Sequence, residues 1–260
     1  MMHFLLVALG MSVTFNLALF LVAYRFKTDR LTDASYALTF IALAWFAFRT
    51  GGPGTGVAGQ QELLALVTIW ALRLGGFLLF RVWKTKRDKR FDGIRENFWK
   101  FGRFWLAQGV SVWVILLPAL LYFQSTFGVN TTKTYVCGVL VWLAGFVLET
   151  VADLQKYRFS RNAANKDKWI QEGVWRWSRH PNYFGEMLVW AGIWVAVAGS
   201  LSWPQKLVSL AGPLFIISLL RFVSGVPPLE KSADARWGHL PTYQAYKKRT
   251  SLLIPLPPKK

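Results

Sequence analysis

The chain has 260 residues, 53% of them hydrophobic with 14 Trp and 20 Phe, and a formal net charge of +18. Its apolar residues gather into blocks too long for ordinary core helices, which excludes a soluble globular domain. The charge would suggest nucleic acid, but 25 of the 31 Lys and Arg fall in four stretches, three in 25–33, eight in 84–103, seven in 156–179 and seven in 222–260. Membrane topology accounts for that pattern, so no nucleic-acid partner is expected.

A membrane span needs about 20 mostly apolar residues. Seven such blocks follow in chain order, roughly 3–24, 34–49, 62–83, 104–124, 134–154, 183–201 and 206–223. The first resembles a signal peptide, but no charged segment precedes it and no clear cleavage site follows, so it is read as a span. Between the spans, basic loops alternate with loops 50–61, 125–133 and 202–206, which hold only Lys133 and Lys206. The predicted fold is therefore all-α: a polytopic integral membrane protein of seven transmembrane helices, N-terminus outside and C-terminus cytoplasmic, forming a single domain over 1–260. Its basic face suits anionic headgroups of membrane lipids.

The glycine-rich stretch Gly51–Gly56 lacks the Gly-Lys-Ser/Thr ending of a phosphate loop and reads as an outward-facing connector. Residues 84–103 have the charge and aromatic content of a basic amphipathic stretch at the membrane surface. Cys137 is the single cysteine, and His3, His180 and His239 stand far apart, so neither a disulfide nor a metal site is expected.

Ionisable residues within or beside spans are the candidates for chemistry, because they are costly there. Glu149 and Asp153 are four apart and share one helical face at the end of the fifth span. They read either as interface acids held by Lys156 and Arg158 or as a polar wall for cofactor hydroxyls and amides. Residues 173–186 read Gly-Val-Trp-Arg-Trp-Ser-Arg-His-Pro-Asn-Tyr-Phe-Gly-Glu. Arg179 and His180 suit phosphate, and Pro181 suits the first turn of a helix whose N–H groups favour anions. Glu186 lies one turn deeper on the face of Asn182, where an interfacial belt of Trp and Arg would not place an acid. Arg73 and Arg221 are further cations within or near spans, with either an ion-pairing or a cofactor role.

The string Trp175–Glu186 resembles the signature of bacterial steroid 5-alpha-reductase-like membrane proteins, a branch catalogued as a domain of unknown function. Glu149–Lys156, Ser224-Gly-Val-Pro-Pro-Leu-Glu-Lys231, Trp70-Ala-Leu-Arg73 with Arg81, and Tyr243-x-x-Tyr246 resemble further landmarks of that branch. The resemblance covers about residues 30–255. It implies an NADPH-dependent reductase whose cofactor-binding half spans about 134–260, with the active site facing the cytoplasm of a bacterial inner membrane. The substrate implied is lipophilic, enters from the bilayer, and is reduced at a C=C bond conjugated to a carbonyl. Asn182 and Glu186 correspond to nicotinamide-side contacts, and Asp153, with Glu149 one turn away, to the cofactor-binding acids. Arg73 and Arg221 correspond to phosphate or ribose contacts. Trp175, Arg179, His180, Tyr183 and Tyr246 complete the implied cofactor pocket, and Glu186 and Tyr183 stand at the reacting centre. The sequence departs from the characterised steroid reductases in its second span, which has no Glu, and in its third, which has Trp70 where a Tyr would fall. The carbonyl-polarising donor is thus unmatched, and Tyr36 and Tyr122 are the substitutes at hand.

Two other readings stand beside this one. Isoprenylcysteine carboxyl methyltransferases share the Arg-His-Pro-x-Tyr-x-Gly element and use S-adenosylmethionine, but carry an apolar or aromatic residue where Glu186 stands. A non-catalytic lipid-binding protein is the third.

Overall fold

The computed structural model describes residues 1–51, 59–85, 91–125 and 133–258. Most of the Gly51–Gly56 connector and residues 86–90 of the basic stretch fall outside them. The helices in chain order are α1 (Met2–Arg25), α2 (Arg30–Thr50), α3 (Gln60–Thr85), α4 (Phe98–Phe123), α5 (Lys133–Arg161), α6 (Pro181–Ala198), α7 (Trp203–Ser218), α8 (Val226–Trp237) and α9 (Pro241–Arg249). A π-helical turn, Leu219–Val223, carries α7 on toward α8. Among the described residues the only β pairing is an isolated bridge between Ser178 and Ser251.

Six helical stretches are long and apolar enough to cross a bilayer: α1, α2, most of α3, α4, α5, and the run from Trp203 to Trp237. The chain is an integral membrane protein. Large apolar side chains such as Leu21, Leu72, Leu140 and Leu214 are exposed along these helices, as lipid-facing residues should be. The sixth expected span, over 183–201, forms the 18-residue α6. Its polar Pro-Asn-Tyr opening and Glu186 set it apart from the other six.

The helices sort into two compact units. The first holds Met1–Tyr135 and Val197–Gly212, and the second Val136–Ala196 and Pro213–Lys260. In the first, α1 buries one face at helical spacing (Leu5, Ala8, Ser12, Asn16, Phe20, Ala23). Polar residues on that face find partners inside the bundle. Ser12 donates to the Gly109 carbonyl at 2.7 Å, Asn16 to Thr39 at 3.0 Å, and Gln108 to Asn16 at 2.9 Å and Ser35 at 2.7 Å. Such bonds tie α1, α2 and α4 where lipid offers no alternative partner. Below them Phe20, Phe91, Phe101 and Trp105 pack together, and Arg95 pairs with buried Asp29 at 3.2 Å.

The second unit is organised by four glycines. Gly138 and Gly145 on α5 and Gly185 and Gly192 on α6 are each spaced by seven, so each pair recurs on one face. A Cβ on Gly145 would lie 2.6 Å from the Gly185 carbonyl oxygen, and one on Gly192 would lie 2.7 Å from that of Gly138. A Cβ on Gly185 would lie 2.7 Å from both the Glu149 amide nitrogen and the Gly145 carbonyl oxygen. Backbone therefore meets backbone along an antiparallel seam, which only glycine permits. Gly185→Ala is expected to destabilise the fold by roughly 1–3 kcal/mol, because backbone atoms cannot rotate aside. Gly10→Ala, with nothing within 4 Å of the added methyl, should leave stability unchanged or slightly raised. Thermal melting of both variants in detergent checks the pair, and equal melting temperatures would refute the seam.

Candidate functional site

The seam brings polar side chains of α5 and α6 together. With Gly185 packed on the backbone at Glu149, the residues one turn on along α5 and one turn back along α6 come opposite each other, and Asn182 donates to Asp153 at 3.2 Å. Glu149 is 2% exposed, Asp153 9% and Glu186 9%. All three carboxylates are therefore buried within the protein.

Immediately before α6 the chain is pinned at three points. Gly173 takes a positive φ of 56°, and Gln155 of α5 fills the space a side chain there would need. The Gln155 carbonyl oxygen accepts from the Val174 amide at 3.0 Å. The indole of Trp175 donates to the Ala152 carbonyl at 3.0 Å, and the Lys156 ammonium lies 4.7 Å from its ring centroid. Trp175 is therefore buried beside α5, not part of an interfacial belt, whereas Trp177 is half exposed. The C-terminal tail braces the next residues: Arg179 donates its amide to the Ser251 carbonyl at 2.9 Å, and Ser178 donates its hydroxyl to that of Leu253 at 2.7 Å. His180 then caps α6, its carbonyl accepting from the Phe184 amide, with Pro181 in the first turn. The His180 ring stacks on Tyr183 at 5.8 Å.

Arg179 and His180 converge on one carboxylate. Glu230 of α8 pairs with Arg179, accepts from His180 Nε2 at 2.8 Å, and is approached by Lys247 of α9 at 3.3 Å. Glu230 was absent from the residues singled out by sequence; the Pro-Pro-Leu-Glu-Lys landmark was the signal that could have found it. The His180 hydrogen bond and the charges of Arg179 and Lys247 converge on that carboxylate. Burial lowers His180 below its ordinary value, aided by Lys156 and Arg179 and opposed by the Glu230 hydrogen bond.

These residues open onto a cavity of about 490 Å³. Trp175, Arg179, His180 and Tyr246 line it, as do four residues sequence reasoning did not place in the site: Trp169, Glu230, Trp237 and Tyr243. The aromatic wall packs edge to face, with Trp169 and Tyr243 5.1 Å apart. Tyr246 donates to the Trp175 carbonyl at 3.2 Å, and burial raises its phenol well above the ordinary value. Lys156, Lys166, Lys168 and Arg236 supply positive charge around the cavity. Glu149, Asp153, Asn182 and Glu186 are not in its wall; Asp153 and Asn182 meet between α5 and α6, and Tyr183 stacks on His180. Arg221 sits in the π-helical turn with its guanidinium 5.1 Å from the Phe222 ring centroid. Arg73 belongs to the first unit.

His180, held below its ordinary 6.5 by burial, contributes stability that is present above that pH and lost on acidification. Glu230→Gln is expected to lower the melting temperature at pH 7, because it leaves Arg179 and Lys247 without the carboxylate they share. A melting curve in detergent checks this, and an unchanged melting temperature would show that the cluster does not hold the fold.

Over residues 19–250 the chain matches the family described as "Protein of unknown function (DUF1295)", and it belongs to that family. A Schizosaccharomyces pombe protein described as uncharacterized is 32% identical to it over 191 residues, 58% of this chain and 54% of the relative. The chain thus spans about half the length of that relative. No solved structure matches it.

Proposed function

We propose, with membership in that family as the premise, that the chain is a membrane-embedded NADPH-dependent reductase. Its reaction in this reading is reduction of a C=C bond conjugated to a carbonyl in a steroid-like or other lipophilic substrate. One observation carries the reading: the consecutive residues Arg179–Tyr183 join an aromatic, cation-rimmed cavity to a seam of buried acids within a single unit. The cavity lies in the size range of small-molecule and cofactor sites, roughly 300–1,000 Å³. Its residues fit a dinucleotide. Buried nitrogens of Trp169, Arg179 and His180 lack hydrogen-bond partners, aromatic rings suit a flat base, and Lys and Arg suit phosphates.

NADPH, when bound, would supply the hydride. The chain's own residues do the rest. Lys156 and Arg179 hold phosphate, with Arg221 as a further phosphate or ribose contact. Glu149, Asp153 and Asn182 orient amide and hydroxyl groups along the seam. Glu186 and Tyr183 handle the proton at the reacting centre. Burial of these acids keeps water from the reacting groups and strengthens every hydrogen bond made there. The same reading gives seven spans, counting α6, with the N-terminus outside and the site on the cytoplasmic face of a bacterial inner membrane. The substrate would reach it from the bilayer.

Titration of detergent-solubilised protein with NADPH, NADH and S-adenosylmethionine, read by Trp fluorescence, tests the proposal. NADPH is expected to bind saturably, and Glu186→Ala to weaken it about 10- to 100-fold through loss of a charged hydrogen-bond acceptor. Gly10→Ala should bind as wild type does. Saturable binding of S-adenosylmethionine alone would replace the proposal with methyl transfer, and binding of none of the three would leave a lipid-binding protein.

A further inference from the structure

The link between α1 and α2 carries an unexpected side chain. α1 ends in two backbone bonds, from the Lys27 amide to the Tyr24 carbonyl at 3.1 Å and from the Thr28 amide to the Ala23 carbonyl at 2.9 Å. This is a Schellman ending, whose first residue beyond the cap takes the left-handed conformation. Glycine adopts it freely, yet the residue there is Lys27, at a φ of 46°. Helix termination alone would favour glycine, so a long cation at this point asks for another reason. Lys27 lines a cavity of about 820 Å³ within the first unit. The α1–α2 link, the last turns of α3 and the segment before α4 border it. The spans α1 and α3 end there and α2 begins there, which places the cavity at the bilayer surface.

Arg95 fixes the wall of this cavity. It is buried and binds Asp29 at 3.2 Å, Glu96 at 3.1 Å, and Asp92, so its charge is already shared among three carboxylates. The exposed cations at the cavity are Lys27 and Arg30, neither of them in an ion pair among the described residues. Glu96 lines it too, with half of its side chain exposed. Phe26, 71% exposed, and Leu79, 41% exposed, give the same cavity an apolar side with Val82. A ligand that meets all of this joins a phosphate, an ammonium a short linker away, and an apolar chain. Free phosphate lacks the last two. We propose that the cavity holds a phospholipid of the ethanolamine class, its phosphate on Lys27 and Arg30 and its ammonium on Glu96. The acyl chains leave beside Leu79 and Val82, which stand three residues apart on one face of α3. The site belongs to the first unit and does not depend on the reductase reading.

Native mass spectrometry of the detergent-purified chain, with phosphatidylethanolamine, phosphatidylglycerol or phosphatidylcholine of identical acyl chains added, tests the site. Phosphatidylglycerol brings no cation to Glu96, and phosphatidylcholine brings one with no N–H to donate. Wild type is expected to retain one phosphatidylethanolamine with about fivefold or higher affinity than either. Lys27→Gly should weaken that retention about fivefold or more. It should leave the lipid-free melting temperature unchanged or raised, because glycine suits the left-handed φ. The two readouts together separate binding from folding. Glu96→Gln should bring phosphatidylethanolamine and phosphatidylglycerol within about twofold of each other. Equal retention of the three lipids by wild type would overturn the proposal, as would unchanged retention by Lys27→Gly. A wild-type preference for phosphatidylglycerol would overturn the ethanolamine assignment.

Discussion

The close approach of α5 and α6 at their four glycines is the constraint on which the second unit depends. Helices that pack through side chains stand 8–10 Å apart, whereas glycine lets two backbones come closer. Here backbone meets backbone, and Asn182 reaches Asp153. The contact also sets which side chains are buried. Glu149, Asp153 and Glu186 sit beside the seam because glycine at 145 and 185 leaves no bulk to push them outward. A stretch of small residues in membrane helices thus does more than allow association; it brings polar groups of two helices within bonding distance.

From that seam the electrostatics follow outward in order. The chain enters α6 through a turn fixed by Gln155, Trp175 and the C-terminal tail, so Arg179 and His180 have little freedom in where they point. Both meet Glu230, and the α9 residue Lys247 joins them. One carboxylate among three nitrogen groups is a stable arrangement for a half-buried acid. Removing the carboxylate would leave Arg179 without its buried counter-charge, which costs more than the pair itself contributes.

The first unit shows the same physics, with its own charge cluster where Arg95 meets Asp29, Asp92 and Glu96. Ser12, Asn16, Thr39, Ser35 and Gln108 satisfy one another between α1, α2 and α4, and their bonds run largely between neutral groups. Such a ladder gives register to helices whose outward faces are uniformly apolar. Its members are partnered within the bundle.

Hydropathy and charge were legible directly in the sequence, because a span is a local property of about 20 consecutive residues. The all-helical membrane class, six of the spanning stretches, and the concentration of candidate residues in 149–186 all came from that reading. So did the helix start at Pro181, since proline in a first turn is a local preference. Glu230, Trp169 and Trp237 were not legible as site residues. They lie far along the chain or in polar stretches without a distinguishing pattern, and only the return of α8, α9 and the tail onto residues 173–180 makes them neighbours of Arg179 and His180. The protonation of His180 was equally out of reach. Sequence identifies an imidazole, but which nitrogen carries the proton depends on a carboxylate fifty residues away and on burial that only the packed helices create.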